Sequence, residues 1–226
     1  MIPRMIAECE GLKWRFSVII ADPHLHSVVD GEEICSSPYG ELVQYQDNLV
    51  VKTYSGPYLL EMLYFLKARG VRKAVVIDTA ASIVSRLTVG TALPVYASTF
   101  YPEVRLGPKP PTVADYEMYK KAIELLSTSS EAFAATTYFP LAEITLSLNT
   151  LRSMEIDLID RSSAHVYGIC RGKMRCLVVD IVDANLAKGV ERSTVHEKSS
   201  KYYDLLLQSA KEAVDTLLEL GGEEGK

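Results

Sequence analysis

The feature that most constrains the fold is a set of strand-like runs that are apolar from end to end and are separated by helical segments. The clearest runs are FSVIIAD at 16–22, RKAVVIDTAAS at 72–82 and MRCLVVDIVDAN at 174–185. Strands with one solvated face alternate apolar and polar residues, whereas strands that are covered on both faces do not. The pattern therefore predicts an α/β protein in which helices cover both faces of a mostly parallel sheet.

Helical segments lie between these runs. In PYLLEMLYFLKARG, residues 57–70, a proline stands at the start, a glycine at the end, and Leu59, Leu60, Leu63 and Leu66 keep helical spacing. Further helices are predicted in 112–126 and 141–153, from about Ser162, and from about Ser199 to Leu220. Shorter strands are predicted in 41–56, as two strands around Asp47 and Asn48, and in 132–139 and 155–160.

The length predicts one domain. A chain of 226 residues with 48% apolar and 23% charged residues can form one sizeable core, so we expect a single three-layer domain over 1–226. The polar tail GGEEGK, 221–226, is predicted to be disordered, and the Pro-rich stretch 105–116 is predicted to be the longest loop.

Composition excludes several classes of protein. The net charge of −5 gives no basic footprint, which disfavours nucleic acid as a partner. No apolar run is long enough to span a bilayer and no signal-peptide pattern opens the chain, so we expect no membrane partner and a cytoplasmic location. Cys9, Cys35, Cys170 and Cys176 show no CxxC pairing, and we interpret them as core thiols, with a disulfide as the alternative.

The stretch ADPHLHSVVDG, 21–31, favours two different kinds of site. His24 and His26 are spaced like a pair of metal ligands after a strand, with Asp22 and Asp78 as carboxylate ligands in that hypothesis. Further histidine ligands are missing at a recognisable spacing, because His165 lies at a predicted helix start and His196 in a polar stretch that is typical of a loop. Asp22-Pro23 also fits an ordinary turn after a strand.

Four stretches, in this order, resemble the nucleoside phosphorylase family, which contains purine nucleoside phosphorylases, uridine phosphorylases and nucleosidases. They are ADP at 21–23, TYSGP at 53–57 with its helix, VVIDTAASIVSRLTVGTALPV at 75–95 and IDRSSAHVYGICRGKMRCLVVDIVDAN at 159–185. The resemblance covers about residues 16–219. It implies a mixed, partly barrel-like sheet flanked by helices, no cofactor, and a homo-oligomer such as a dimer or a trimer of dimers. The hairpin 35–48 and the stretch 105–116 are the candidate interface segments.

The resemblance implies a base site that is largely kept. Asp183 matches the family acid that serves the base nitrogen, and a helix N-cap is its alternative role. Tyr138 and Phe139 match the aromatic residues that stack on the base, and a core position is the alternative for one of them.

The implied ribose site is altered. Where the family has a Glu-Met-Glu signature, whose second glutamate binds the ribose hydroxyls, this chain has Asp160, Arg161 and Ser162. A serine keeps one hydrogen bond but brings no charge. Arg161 is a candidate for a new anion ligand or for an ordinary solvated side chain.

The implied phosphate site is altered further. Leu25 and Val76 stand where the family has arginines, and Asp78 and Ala81 stand in its glycine-rich loop. A carboxylate and a methyl group there hinder the approach of an anion to the backbone.

Three side chains are left as the candidates for anion binding at this position. They are His24 and His26, which flank Leu25, and the hydroxyl of Thr79.

Three hypotheses follow from these residues. The first is an enzyme that acts on the N-glycosidic bond of a purine or pyrimidine nucleoside, with hydrolysis favoured over phosphorolysis. The second is a catalytically degenerate protein that binds a ligand or assembles with a paralogue. The third is a metal-dependent hydrolase that uses His24 and His26.

Overall fold

The structure of the protein is a computed structural model, and it describes residues 14–101, 111–127, 130–137, 148–172 and 174–222. These residues form one sheet, whose strands are β1 Phe16–Ile20, β2 Glu32–Ser37, β3 Gly40–Tyr45, β4 Asn48–Thr53, β5 Lys73–Ser82, β6 Ala92–Tyr101, β7 Thr112–Val113, β8 Ala132–Thr137, β9 Leu158–Asp160 and β10 Arg175–Asn185. The α-helices are α1 Pro57–Ala68, α2 Tyr116–Leu125, α3 Leu148–Ser153, α4 Ser163–Cys170, α5 Arg192–Val195 and α6 Lys201–Leu217. Two 3₁₀ helices span Pro23–Val28 and Leu218–Gly221.

The sheet is mixed and closes on itself at one end. Strands β10, β6, β8, β9 and β5 follow one another, and β5 also pairs with β10, so these strands form a closed barrel. From β5 the sheet continues through β1 and β4 to the β3–β2 hairpin. Strands β4, β1, β5 and β10 run parallel, as the apolar runs predict. The predicted mixed, partly barrel-like α/β sheet is confirmed.

Helices cover both faces of the sheet, which gives the three layers. On one face, Leu63 of α1 and Tyr167 of α4 pack with the even-numbered residues of β5 and β10. On the other face, Met118 of α2 and Ala210 of α6 pack with the odd-numbered residues. Both faces of the central strands are therefore dry, which explains their unbroken apolar sequence. Over the described residues, no helix has both the length and the apolarity that crossing a membrane requires.

Four local features differ from the predictions. The Asp-Pro turn continues into a 3₁₀ helix, Pro23–Val28. The sequence does not predict the long strand β6, because Pro94 and the polar residues of this stretch interrupt the apolar pattern. Part of the predicted loop 105–116 is ordered secondary structure, because β7 pairs with β6 and Asp115 caps α2; residues 102–110 lie outside the described part. In the tail, Gly221 ends a 3₁₀ helix, and 223–226 lie outside the described residues.

The expectation that the cysteines are free core thiols is wrong. Cys170 at the end of α4 and Cys176 at the start of β10 form a disulfide across Cα atoms 5.9 Å apart. Cys35 is disulfide-bonded as well. The alternative interpretation, a disulfide, is therefore the correct one for these cysteines. The short turn between α4 and β10 places the two side chains next to each other, a proximity that the spacing in the sequence does not establish.

Candidate active site

The candidate site lies at the carboxyl ends of three parallel strands, β1, β5 and β10. Asp22 follows β1, Thr79 lies in β5, and Asp183 lies near the end of β10. The register pairs Ile20 with Ile77 and Ile181 with Thr79, so the polar residues beyond these pairs meet at one edge of the sheet. Ligands of open α/β sheets usually bind at this edge.

A β-bulge orients Asp183. The pairing of β10 with β5 shifts between Val182 and Ala184, so Asp183 is the extra residue of the bulged strand. A bulge turns the side chain of the extra residue relative to the regular alternation, and bulges are frequent beside active sites. The alternative role of Asp183, a helix N-cap, is not the one that the structure shows, since Glu191 occupies the N-cap position of the next helix, α5.

Arg161 connects the ends of β1 and β5. Its Nη2 atom donates to Asp22 Oδ2 at 2.9 Å and to Thr79 Oγ1 at 3.0 Å, and it lies 3.4 Å from Asp78 Oδ1. Thr79 Oγ1 donates to the same Asp22 oxygen at 2.6 Å, and Ser55 Oγ donates to Asp78 Oδ2 at 2.9 Å. Arg161 is therefore neither a solvated side chain nor an unpaired cation.

The two carboxyl groups of this network differ in their pKa. Burial alone raises the pKa of Asp22, but the Arg161 charge and the hydrogen bonds from Thr79 and the His24 backbone outweigh burial and hold it below the ordinary value. Burial, assisted by the negative charge of Asp22, raises the pKa of Asp78 despite Arg161. At neutral pH the ionised Asp22 balances the charge of Arg161.

A second ion-paired group surrounds Asp183, whose side chain is fully buried. Arg192 Nε lies 2.6 Å from Asp183 Oδ2, and His196 Nε2 lies 2.9 Å from the same oxygen. The His196 ring in turn lies against His24, with 4.2 Å between the ring centroids. Burial raises the pKa of Asp183, but the His196 hydrogen bond and the Arg192 charge exceed that effect and lower it. Asp183 is therefore held as a carboxylate.

A separate pair of acidic side chains, Asp160 and Asp180, lies inside the barrel. Asp160 Oδ1 accepts from Thr136 Oγ1 at 2.6 Å, and Asp160 Oδ2 accepts from the Ser163 backbone at 3.1 Å. Burial and the charge of the neighbouring Asp160 raise the pKa of Asp180 well above its ordinary value. Burial raises the pKa of Asp160 as well, and among the described residues neither oxygen of Asp180 has a hydrogen-bond partner, so the ionised form of Asp180 is disfavoured.

The predicted site residues are distributed unevenly. Asp183, Arg161, Thr79 and the ring of His24 lie in or against the two ion-paired groups. His26 instead bonds through Nε2 to the Thr53 carbonyl oxygen at 2.8 Å.

The other predicted residues are not in this cluster. Asp160 bonds within the barrel, and Ser162 is fully buried, with no hydrogen-bond partner for its hydroxyl among the described residues. Tyr138 and Phe139 lie outside the described residues.

Two residues of the cluster were not found from the sequence. The sequence predicts a loop around His196 and indicates no role for Arg192. The signal in the sequence is that Arg192 and His196 are four residues apart, because a short helix places residues at this spacing on one face. Helix α5 does so, and both side chains reach Asp183.

The donor atoms near Asp183 also fit the spacing of a metal site. Within the described residues, Asp22, Asp183 and His196 form a group whose ligand atoms lie within 4.8 Å of one another. Both carboxylates already have a guanidinium partner, Arg161 and Arg192, and a divalent cation there would add charge beside two cations. The arrangement therefore disfavours a metal at this place. His24 and His26 are not members of this group of ligand atoms.

The closed barrel, the parallel strands beside it and the polar cluster at their carboxyl ends define the class of fold: the chain has the fold that nucleoside phosphorylases and nucleosidases share. Purine nucleoside phosphorylase from Toxoplasma gondii, solved in complex with immucillin-H, superposes with a TM-score of 0.72 at 17% identity, over 93% of this chain and 92% of that chain.

A second solved structure supports the same fold. It is the 5′-methylthioadenosine/S-adenosyl homocysteine nucleosidase from Campylobacter jejuni, with a TM-score of 0.68 at 15% identity, over 92% of this chain and 98% of that chain. No protein-family model matches the sequence, and no curated protein matches it significantly. The likeness is thus one of fold, and the chemistry must be argued from the site.

Proposed function

We propose that this chain cleaves the N-glycosidic bond of a purine or pyrimidine nucleoside and that water, rather than phosphate, is the nucleophile at C1′. The observation that carries the choice of water is the pairing of Arg161 with Asp22 and Asp78. Orthophosphate needs unpaired cations or backbone N–H groups, and the cation at this position is already neutralised.

Carboxylates suit the chemistry that the proposal assigns to the site. Cleavage of the glycosidic bond develops positive charge on the ribose ring, and fixed negative groups stabilise such a transition state electrostatically. Asp22 and Asp183 are both held ionised at neutral pH. Their pairing with arginines limits the net charge of the site, so the substrate meets oriented dipoles rather than a strong anionic field.

The proposal assigns the remaining contacts as follows. Asp183 serves the base, and Tyr138 and Phe139 stack on it. Among the residues expected at the ribose, Arg161 is retained because it joins the cluster at the strand ends, whereas Asp160 is bonded to Thr136 and Ser163. The Ser162 hydroxyl has no hydrogen-bond partner among the described residues.

The test is base release from a panel of purine and pyrimidine nucleosides, including 5′-methylthioadenosine, with and without phosphate. Release that does not depend on phosphate is expected. Asp183→Asn should abolish it in a folded protein, while Asp204→Asn, which changes an exposed carboxylate on α6, should not. Release only with phosphate would replace hydrolysis by phosphorolysis.

A second candidate function is ligand binding or assembly without catalysis. The observation that favours it is the placement of Asp160, which is bonded to Thr136 and Ser163 inside the barrel rather than being available as the carboxylate for the ribose hydroxyls. Absence of base release under both conditions, together with saturable binding of a nucleoside or a stable complex with a paralogue, would support this function.

The proposal also includes assembly and location. We propose a homo-oligomer, a dimer or a trimer of dimers, that uses the hairpin 35–48 and the stretch 105–116, in the cytoplasm. Light scattering on the purified protein tests the assembly.

A further inference from the structure

Resting on the proposed function, we propose that His196 is the acid that protonates the departing base and that Asp183 is the positioning residue behind it. The resemblance to the nucleoside phosphorylase family implies that Asp183 itself is the acid that serves the base. The contacts around Asp183 favour a different division of roles.

Asp183 is poorly placed to carry a proton itself. One of its oxygens, Oδ2, faces both Arg192 Nε at 2.6 Å and His196 Nε2 at 2.9 Å. The side chain of Asp183 is fully buried, and that of Arg192 is 22% exposed. Protonation of Asp183 would leave the Arg192 guanidinium without its buried counter-charge, which is a costly state.

His196 has the geometry that an acid needs. Nε2 is held by Asp183, and Nδ1 is buried with no hydrogen-bond partner among the described residues. A carboxylate bonded to one ring nitrogen fixes the tautomer and stabilises the imidazolium, which leaves the other nitrogen as the donor. Nδ1 is therefore the atom that we assign to the base.

Charged and titratable groups surround the ring from several elements. Asp183 comes from β10, Arg192 from α5, and His24, whose ring packs at a tilt against that of His196, from the 3₁₀ helix after β1. Asp22, bound to Arg161, acts on the ring through its charge. A pH profile of the reaction must be interpreted with all of these groups.

The proposed step is balanced as follows. The bond between C1′ and the base nitrogen breaks, and its electron pair stays on that nitrogen. The proton on Nδ1 of the imidazolium moves to the base, and the oxygen of water bonds to C1′. The proton that this water releases restores the imidazolium through solvent, so the products are the free base and the free sugar.

The experiment compares two leaving groups. Nucleosides need a proton on the departing base, whereas 4-nitrophenyl β-ribofuranoside releases a stable phenolate without one. His196→Gln keeps a donor toward Asp183 but cannot deliver a proton. We expect kcat/KM for nucleosides to fall about 10²- to 10⁴-fold, the range of general acid catalysis, and the nitrophenolate release to stay near wild type.

Two readouts separate an acid from a structural residue. A general acid acts only in its protonated form, so the nucleoside reaction of the wild type should lose activity towards high pH, and the variant should lack this limb. Glu197→Gln, which removes an exposed titratable group beside His196, is the matched control and should keep the limb. Retained nitrophenolate release also shows that the variant is folded.

Other results would overturn the inference in distinguishable ways. Unchanged nucleoside cleavage in His196→Gln would remove His196 from the mechanism while the proposed function stands. An equal loss of both activities would make His196 a structural residue. A wild-type protein that cleaves no nucleoside would overturn the proposed function, and the inference with it.

Discussion

Replacing Arg161 by Met should destabilise the fold strongly, because it leaves two buried carboxyl groups without their cation. Asp22 is 2% and Asp78 0% exposed, and Arg161 contacts both. Removal of one partner of a buried ion pair costs about 3–5 kcal/mol of unfolding free energy. For a chain of this size the corresponding fall in Tm is about 6–20 °C.

The cost should depend on pH. Without Arg161 the folded-state pKa of Asp22 rises above its unfolded value, so the variant's penalty is smallest in acid and grows as pH rises through that folded-state pKa. Urea unfolding of wild type and variant between pH 5 and pH 8 measures this difference. The double variant Arg161→Met, Asp22→Asn should recover part of the loss at neutral pH, because it removes the stranded charge of Asp22.

The matched control is Arg86→Met, which breaks the Arg86–Asp157 pair, where the arginine side chain is 53% exposed. An exposed pair contributes only about 0–1 kcal/mol. If Arg161→Met costs no more than this control, or costs the same at every pH, the network at the strand ends is not a buried ion pair of the kind described.

Three further perturbations test other parts of the structure. Cys176→Ala, which removes the Cys170–Cys176 disulfide and leaves the disulfide of Cys35 in place, should lower the unfolding free energy by about 2 kcal/mol, the loop-closure value for such a short loop, as measured by urea unfolding without reductant. Asp180→Asn should change the free energy of unfolding at pH 7 by less than about 1 kcal/mol, since the raised pKa of Asp180 already keeps this carboxyl protonated; a loss of several kcal/mol would show that it is charged. Asp22 and Asp183 have lowered pKa values, so their contribution to stability is present above the unfolded-state pKa near 3.8 and should be lost as pH falls through their folded-state pKa values. Acid titration of wild type and Asp183→Asn, followed by circular dichroism, measures this loss. Identical acid transitions in the two proteins would contradict the prediction.

Several elements follow from the sequence because their cause is local. The runs 72–82 and 174–185 are apolar throughout, and such strands require cover on both faces, which α1, α2, α4 and α6 provide. Helix α1 starts at Pro57 because proline suits a first helical turn. The order of such segments was enough to predict the class of fold and to place Asp183 at the carboxyl edge of the sheet.

The charges of the site depend on residues that are distant in the chain. Arg161 meets Asp22 across 139 positions of sequence, a contact that exists because β9 pairs with β5 and delivers Arg161 to the end of β1. From the sequence, Arg161 is a candidate for an anion ligand or for a solvated side chain. The tertiary structure makes it the counter-charge of two carboxyl groups.

The same reasoning applies to Asp183. Its position near the end of an apolar strand is visible in the sequence, but whether it is a carboxylate or a carboxylic acid depends on its neighbours. Arg192 and His196 follow a turn, at a helix that is too short to give a clear periodic pattern in the sequence. The bulge that orients Asp183 towards them depends on the pairing of β10 with β5. Local sequence determined the strands and helices through side-chain periodicity, whereas the protonation state and the partners of each buried acid were decided by which strand ends the sheet brings together.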